Sequence, residues 1–309
     1  MIPNHIAKYQ IYDIFYNTKL IIIRPAETDI DIYVNDKKCS LYRCPHQHTF
    51  IYTLTIPFTP TISLRINNQI IHTHVNKYSE LKDEIILSTI VKNEDKYIKQ
   101  WIDFHLHIGI TRFIIYDNSI SNTLSTLLQD YIQLQQVILI QWSFPYILLK
   151  SGISGQTTQQ NHSIYAFQSK YIGLLDIDEY VNMQSHTNIH TFFEDIIAKY
   201  AYDTTKIGGF TLMNKFFYNP NEMSTEGSDF LNIYNCDTIS IQKYQKNFVI
   251  PKNVKTFSVH VITDGKPTVV LNETDVFFNH YIFLNKDRGK NKTNYTDDSI
   301  SRHLKYRII

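Results

Sequence analysis

The apolar run Tyr171-Ile172-Gly173-Leu174-Leu175 ends in Asp176-Ile177-Asp178-Glu179. Two carboxylates stand at i and i+2, and a third follows directly. A buried strand that stops at Asp-x-Asp places acidic groups where an α/β sheet opens to solvent. Mg²⁺ and Mn²⁺ take a few carboxylate oxygens and usually bring phosphate oxygens as further ligands. The run therefore points to a metal–diphosphate site. Alone, two aspartates at a strand end describe a solvated turn just as well, so the neighbouring elements decide.

Upstream, Ile85–Val91 reads as a strand covered on both faces. Residues 94–108 carry apolar side chains, with His105, at helical spacing, and Gly109 closes the helix. Arg112–Tyr116 is the next strand and ends at Asp117-Asn118-Ser119. Ser121 or Asn122 can cap a helix over Thr123–Gln133. Val137–Trp142 is a third strand, Gly155–Lys170 a third helix and Tyr171–Leu175 a fourth strand. This β-α-β-α-β-α-β order predicts an α/β domain with a mostly parallel sheet flanked by helices.

Ligands of such sheets bind outside the carboxyl ends of the strands. The residues there are Lys92-Asn93-Glu94, Asp117-Asn118, Ser143 and Asp176-x-Asp178. Asp117 and Asn118 can hydrogen-bond a ribose or base, and Lys92 and Glu94 share the nucleotide side. No Gly-x-Gly-x-x-Gly and no Gly-x-x-x-x-Gly-Lys-Ser/Thr occurs. A rim without a glycine cradle needs a metal to hold a diphosphate, and the acidic run supplies its ligands.

Residues 1–82 read as a small all-β, sandwich-like domain of short β-branched and aromatic runs between turn signals. Its His46, His48, His72 and His74 read as half-exposed strand surface rather than metal ligands. The catalytic domain is expected over 83–284, with a helix over Thr191–Tyr202. A basic segment follows over 285–309, with seven Lys/Arg against three Asp. It is either a solvated tail or a flap that closes on phosphates.

A formal net charge of +1 argues against nucleic acid as a partner. No apolar stretch is long enough to span a membrane, and Met1–Gln10 lacks a signal-peptide core. Cys39, Cys44 and Cys236 form no metal spacing or disulfide framework. A soluble, cytoplasmic protein is expected. The excess of Ile, Asn, Lys and Tyr resembles coding in an AT-rich genome, such as a large DNA virus or a low-GC bacterium.

Several short motifs recur in a familiar order. They are Ile90-Val-Lys-Asn-Glu94, Trp101-Ile-x-Phe-His105, Ile108-Gly109-Ile110, Phe113-Ile-Ile-Tyr-Asp-Asn118 and Asp176-Ile-Asp-Glu-Tyr180. Lys252-Asn-Val254 with His260, and Asn279-His-Tyr281 with Lys286 and Arg288-Gly289, follow. The set resembles glycosyltransferase family 92 and related family-2-like transferases over about residues 86–292. The resemblance implies a GT-A fold and inverting transfer of a sugar, galactose first, from a UDP-sugar donor to a glycan acceptor with Mn²⁺ or Mg²⁺. Tyr180 stands where the family has Phe. Asn214-Lys215-Phe216-Phe217-Tyr218 replaces an aromatic-x-Phe-Gly element expected to touch the acceptor.

Within that reading Asp178 is the first choice for a direct metal ligand. Asp176 contacts ribose or metal-bound water, or serves as a second ligand. Glu179 either orients the pair or lies on the surface. His280 is preferred over His260 to complete the site, because Lys286 and Arg288 follow it and can neutralise the leaving diphosphate. The acceptor base is sought among downstream carboxylates, with Asp229 and Glu226 ahead of Asp237. Trp101 and His105 read as packing residues beneath the rim. A nucleotidyltransferase, or a non-catalytic glycan-binding protein, would share much of this pattern.

Overall fold

The structure is a computed structural model that describes residues 1–44, 49–147, 154–217, 230–233, 236, 241–281 and 295–304. Among the described residues, the first part of the chain forms nine short strands. These are β1 (Asp13–Asn17), β2 (Lys19–Pro25), β3 (Ile32–Val34), β4 (Lys37–Lys38), β5 (Ser40–Arg43), β6 (Thr49–Leu54), β7 (Thr61–Ile66), β8 (Gln69–His74) and β9 (Asn76–Lys77). They make a sheet β5-β6-β2-β1-β9 and a sheet β4-β3-β7-β8. One core joins the two: Ile14, Leu20 and Ile22 meet Ile32, Leu64 and Ile66.

The strand sequences record which faces are covered. β7 alternates buried and partly exposed residues, as a strand with one wet face must. In β2, Leu20-Ile21-Ile22-Ile23 is apolar without alternation and buried throughout. Leu20 and Ile22 enter the sandwich core. Ile21 and Ile23 point the other way, into a second core shared with the rest of the chain. His72 and His74 are exposed on β8 as expected, and His46 and His48 lie outside the described residues.

The second part builds one larger sheet. Its elements are β10 (Leu81–Val91), α1 (Ile98–His107), β11 (Arg112–Asp117), α2 (Thr123–Leu127), α3 (Gln129–Gln133), β12 (Val137–Gln141), α4 (Ser154–Ala166), β13 (Ser169–Leu174), β14 (Glu179–Met183), α5 (Ile189–Tyr200), β15 (Gly209–Phe217), β16 (Ile241–Val249), β17 (Val254–Ser258), β18 (Val261–Gly265), β19 (Thr268–Val270) and β20 (Val276–Tyr281). The strand order is β12-β11-β10-β13-β16-β15-β20-β14, with β19 beside β15. β12, β11, β10 and β13 are mutually parallel. Antiparallel pairings join β13 to β16, β16 to β15 and β20 to β14. The fold class expected from the sequence is the one observed: an α/β sheet flanked by helices, parallel at its first four strands and mixed beyond, behind an all-β region.

Four helices differ from expectation at their boundaries, and the one expected over Thr191–Tyr202 runs from Ile189 to Tyr200 because Asn188 caps it. The first helix starts at Ile98, not at Glu94, because residues 95–97 form a turn. The second is two short helices that part at Leu128. The third ends at Ala166, and Ser169 and Lys170 already pair in β13. That helix has no apolar stripe to read, because residues 155–164 are buried on every side.

α4 is therefore a polar helix clamped between layers. Thr158 shares a hydroxyl hydrogen bond of 2.9 Å with Thr49 of the sandwich. Gln159 donates to Ser88 Oγ of β10 at 3.0 Å. Asn161 donates to the Phe257 carbonyl and accepts from its amide. The buried His162 Nε2 lies 2.9 Å from Asp13 Oδ2, and Tyr116 OH lies 2.7 Å from His162 Nδ1. A ring protonated at Nε2 satisfies both contacts. Asp13 also accepts from Tyr78 OH at 2.5 Å and from the amides of Asn4 and Ile14. Paired in this way, polar groups can fill an interior that bare ones could not.

The described C-terminal stretch is docked against the sheet. Ile300 and His303 are buried, Ser299 Oγ accepts from Asn182 at 2.9 Å and Asp297 pairs with Lys215 at 2.6 Å. All three cysteines are buried and outside any disulfide, and burial pushes the thiols of Cys39 and Cys44 up to about 12. No helix among the described residues is long and apolar enough to cross a membrane.

Burial alone would raise the Asp13 carboxyl, but the hydrogen bond and charge of His162, with Tyr78 and Asn4, hold it below its ordinary value. Its stabilisation is present above the unfolded carboxylate range and is lost as pH falls through the depressed folded value. Urea melts of Asp13→Asn from pH 7 down to pH 3 should show lower stability at pH 7 and a flatter acid limb. Asp13→Ala should cost about 3–5 kcal/mol at neutral pH. At Gly173 a Cβ would collide with Leu87 Cδ2 and the Phe248 ring. Gly173→Ala should lose roughly 1–3 kcal/mol in the same melts, and a neutral result would mean that the sheet centre is loosely packed.

Candidate active site

β10 connects forward to β11 on one side, while β13 lies on its other side. The crevice between the carboxyl ends of β10 and β13 is thus a topological switch point, where ligands of open α/β sheets bind. Glu94 follows β10, and Asp176 to Asp178 follow β13. Burial, then the charges of Asp178 and Asp95, lift the Glu94 carboxyl above its ordinary value. Lys92 is exposed beside it.

The β11 end of this rim is pinned. Asp117 is buried, and its Oδ1 accepts from the Ser119 amide at 2.9 Å. The Asn118 amide nitrogen donates to the carbonyls of Trp142 at 2.5 Å and Phe144 at 2.7 Å. Asn118 is thereby a strap between β11 and the chain after β12. Ser119 Oγ accepts from the Asn93 amide at 2.8 Å, which joins the ends of β10 and β11.

At the end of β13 the chain turns tightly into β14. The Glu179 amide donates to the Asp176 carbonyl at 3.1 Å, and the Asp176 amide donates to Glu179 Oε2 at 2.8 Å. β14 then pairs with β20, with Glu179 opposite His280. The Tyr281 amide donates to the Asp178 carbonyl at 2.9 Å. These pairings bring His280 Nε2 to 3.4 Å from Asp178 Oδ2, and His280 Nδ1 to 3.7 Å from Glu179 Oε1. One ligand atom from each of Asp178, Glu179 and His280 lies within 4.8 Å of the others. Glu179 is fully buried, His280 nearly so, and Asp178 is half-exposed at the mouth. Glu179 Oε1 and His280 Nδ1 are buried without a hydrogen-bond partner. The rival His260 is not in this trio, and its Nδ1 is engaged by the Gln245 carbonyl at 2.9 Å.

Asp176 also stands outside the trio. Its Oδ2 lies 2.6 Å from Lys246 Nζ, and the same ammonium lies 3.2 Å from Glu179 Oε2. Burial opposes the charge on Lys246, but Asp176 and Glu179 raise its pKa above the ordinary value. Burial likewise opposes the charge on Asp176, and Lys246 prevails to lower that carboxyl. Burial lifts Glu179 to about 8 against the pull of Lys246. In His280, burial is overcome by Asp178, which raises the imidazole.

Lys246 is the residue that sequence reasoning missed. A signal was present: it shares strand parity in β16 with Phe248, a core residue. A lysine at a core-facing position requires a buried counter-charge.

Trp101 and His105, expected as packing residues, support the rim through specific bonds. Trp101 Nε1 donates to the Glu179 carbonyl at 2.9 Å. His105 Nδ1 lies 2.8 Å from the Trp101 carbonyl, and the Val181 amide approaches His105 Nε2 at 3.5 Å. Burial pushes the His105 imidazole down to about 3, so the neutral ring serves both contacts. In the Asn214–Phe217 segment, Phe216 packs against the His280 ring at 5.0 Å. Asn214 is fully buried on the same strand with both amide atoms unpartnered. Tyr218, Glu226, Asp229, Asp237, Lys286 and Arg288 lie outside the described residues.

Comparison with known proteins gives this geometry a context. Residues 87–307 match the profile of glycosyltransferase family 92. A glycosyltransferase family 92 protein of Ricinus communis is 22% identical over 221 residues, which cover 68% of this chain and 37% of that protein. Another, from Oryza sativa subsp. japonica, is 20% identical over 221 residues, covering 68% and 36%. The chain thus spans little more than a third of the length of these curated relatives. Among solved structures, glucosyl-3-phosphoglycerate synthase from Mycobacterium tuberculosis is similar with a TM-score of 0.32 and 12% identity, over 67% of this chain and 73% of that one. The family match runs from the middle of β10 through the docked C-terminal stretch and takes in every residue of the acidic trio, and the chain belongs to glycosyltransferase family 92.

Proposed function

We propose that this glycosyltransferase moves a sugar, galactose in the first instance, from a UDP-sugar to a hydroxyl of a glycan acceptor. The transfer is inverting and depends on Mn²⁺ or Mg²⁺. The observation that carries the metal reading is the Asp178–Glu179–His280 trio at the switch point of the sheet. Two buried atoms there, Glu179 Oε1 and His280 Nδ1, lie 3.7 Å apart and have no hydrogen-bond partner. Buried polar groups left bare cost stability, and a bound cation would satisfy both. A mixed imidazole–carboxylate set suits Mn²⁺ better than Mg²⁺, which prefers oxygen.

A divalent ion bound here would offset the charge on the departing diphosphate. Around it, the chain's own residues divide the work. Glu94, Asp117, Asn118 and Lys92 form the nucleotide side of the rim, with Asp176 next to the ribose. Lys286 and Arg288 are assigned to the diphosphate as it leaves. The base that takes the acceptor proton is assigned to Asp229 or Glu226. A cytoplasmic setting belongs to the same proposal.

The assay is release of UDP from a panel of UDP-sugars with Mn²⁺ and candidate acceptors. UTP with sugar 1-phosphates is run alongside and read as pyrophosphate. UDP release without pyrophosphate is the expected outcome. Chelation should abolish it, and added Mn²⁺ should restore it. Asp178→Ala should lower it by roughly 10²–10³-fold, the scale of a lost transition-state charge partner. Unchanged turnover in Asp178→Ala would sink the metal assignment, and pyrophosphate would mark a nucleotidyltransferase instead.

A further inference from the structure

The acidic turn holds more negative charge than a metal trio needs. Asp176, Asp178 and Glu179 converge, and one buried ammonium, Lys246, offsets one of them. The ammonium is also unequal in its contacts. It sits on Asp176 at 2.6 Å and on Glu179 Oε2 at 3.2 Å, while Asp178 has no ion pair with it. Glu179 Oε2 is further tied to the Asp176 amide at 2.8 Å. With Oε2 held on that side, the planar carboxylate must aim Oε1 the other way, towards His280 at 3.7 Å.

We infer that Lys246 is the positioning residue of this site: it withholds Asp176 from the ion and turns Glu179 so that Oε1 faces His280 and Asp178. Lys246 is 2% exposed, so its head has no solvated position to retreat to. β16 fixes its backbone between β13, which leads into the turn, and β15, which pairs with β20. The role resembles that of the outer groups that orient metal-ligating side chains, whose loss costs about 10–100-fold in metal affinity. It assigns the Asp-x-Asp run an asymmetric function, with Asp178 as ligand and Asp176 as the partner of an internal cation. The inference rests on the metal reading above.

The test is Mn²⁺ uptake by the full chain without donor, followed by the loss of the free-ion EPR signal. Lys246→Met alone leaves buried carboxylates uncompensated and can fail to fold. The pair Lys246→Met/Asp176→Asn removes one charge of each sign and keeps the buried balance. The double variant should bind Mn²⁺ about 10–100-fold more weakly than the natural chain. Asp176→Asn alone should lose less than the ~10-fold lower end of that range, and Asp178→Asn should lose uptake altogether. A double variant that binds like the natural chain would overturn the role of Lys246. An Asp176→Asn variant as impaired as Asp178→Asn would overturn it too, by making Asp176 a ligand. If the natural chain itself takes up no Mn²⁺, the metal reading fails first and takes the inference with it, which the unmutated protein alone reveals.

Discussion

A carboxylate with no exposure to solvent governs this half of the molecule. Glu179 is fully buried, and an isolated charge there would be costly by several kcal/mol. Each surrounding element answers that constraint. β16 supplies Lys246 to one oxygen, β20 brings His280 opposite the other, and α1 fastens the Glu179 carbonyl through Trp101. His105 fixes Trp101 in turn, by accepting no charge and using both ring nitrogens on backbone groups. A rigid, partly unsatisfied acidic pocket results, with Asp178 as its solvent-facing edge.

The sandwich is joined to this sheet by chemistry of a different kind. Its inner sheet is buried on both faces, and α4 lies against it with polar side chains rather than an apolar stripe. The Asp13–His162–Tyr116 chain runs from β1 through α4 to β11, the strand that ends in Asp117. Such a network has one satisfied arrangement, whereas an apolar interface has many of nearly equal energy. It therefore sets the seating of α4 and ties it, through Tyr116, to the strand that ends in Asp117.

The parts that could be read from sequence are those set by local pattern. Apolar runs marked β10 to β13, because strands covered on both faces need no partner information to be recognised. The residues at their ends follow from right-handed connection, which sets Glu94, Asp117 and Asp178 at or after the carboxyl ends of parallel strands. What escaped was non-local or unpatterned. α4 carries no periodicity because it has no wet face. The break at Leu128 left the helical spacing undisturbed. Lys246 stands 70 residues beyond Asp176, and only the strand order brings them together. The preference for His280 over His260 came from neighbouring basic residues, whereas the structure distinguishes them by cross-strand register opposite Glu179.

The division of the sheet has a chemical consequence. The parallel half supplies a rim that many nucleotide-binding sheets possess, and what it brings to the acidic turn itself is carboxylate oxygen. The nitrogen groups, Lys246 and His280, both arrive on strands of the mixed half, β16 and β20. The pocket is therefore built at the seam, with β13 and β14 contributing the turn between the two halves. An ion at this seam would report on correct assembly of the late strands as much as on the acidic run itself. That dependence explains why an Asp-x-Asp pair, read alone, is indistinguishable from a solvated turn. The ammonium and the imidazole that surround the pair are encoded far downstream and reach it only through strand order.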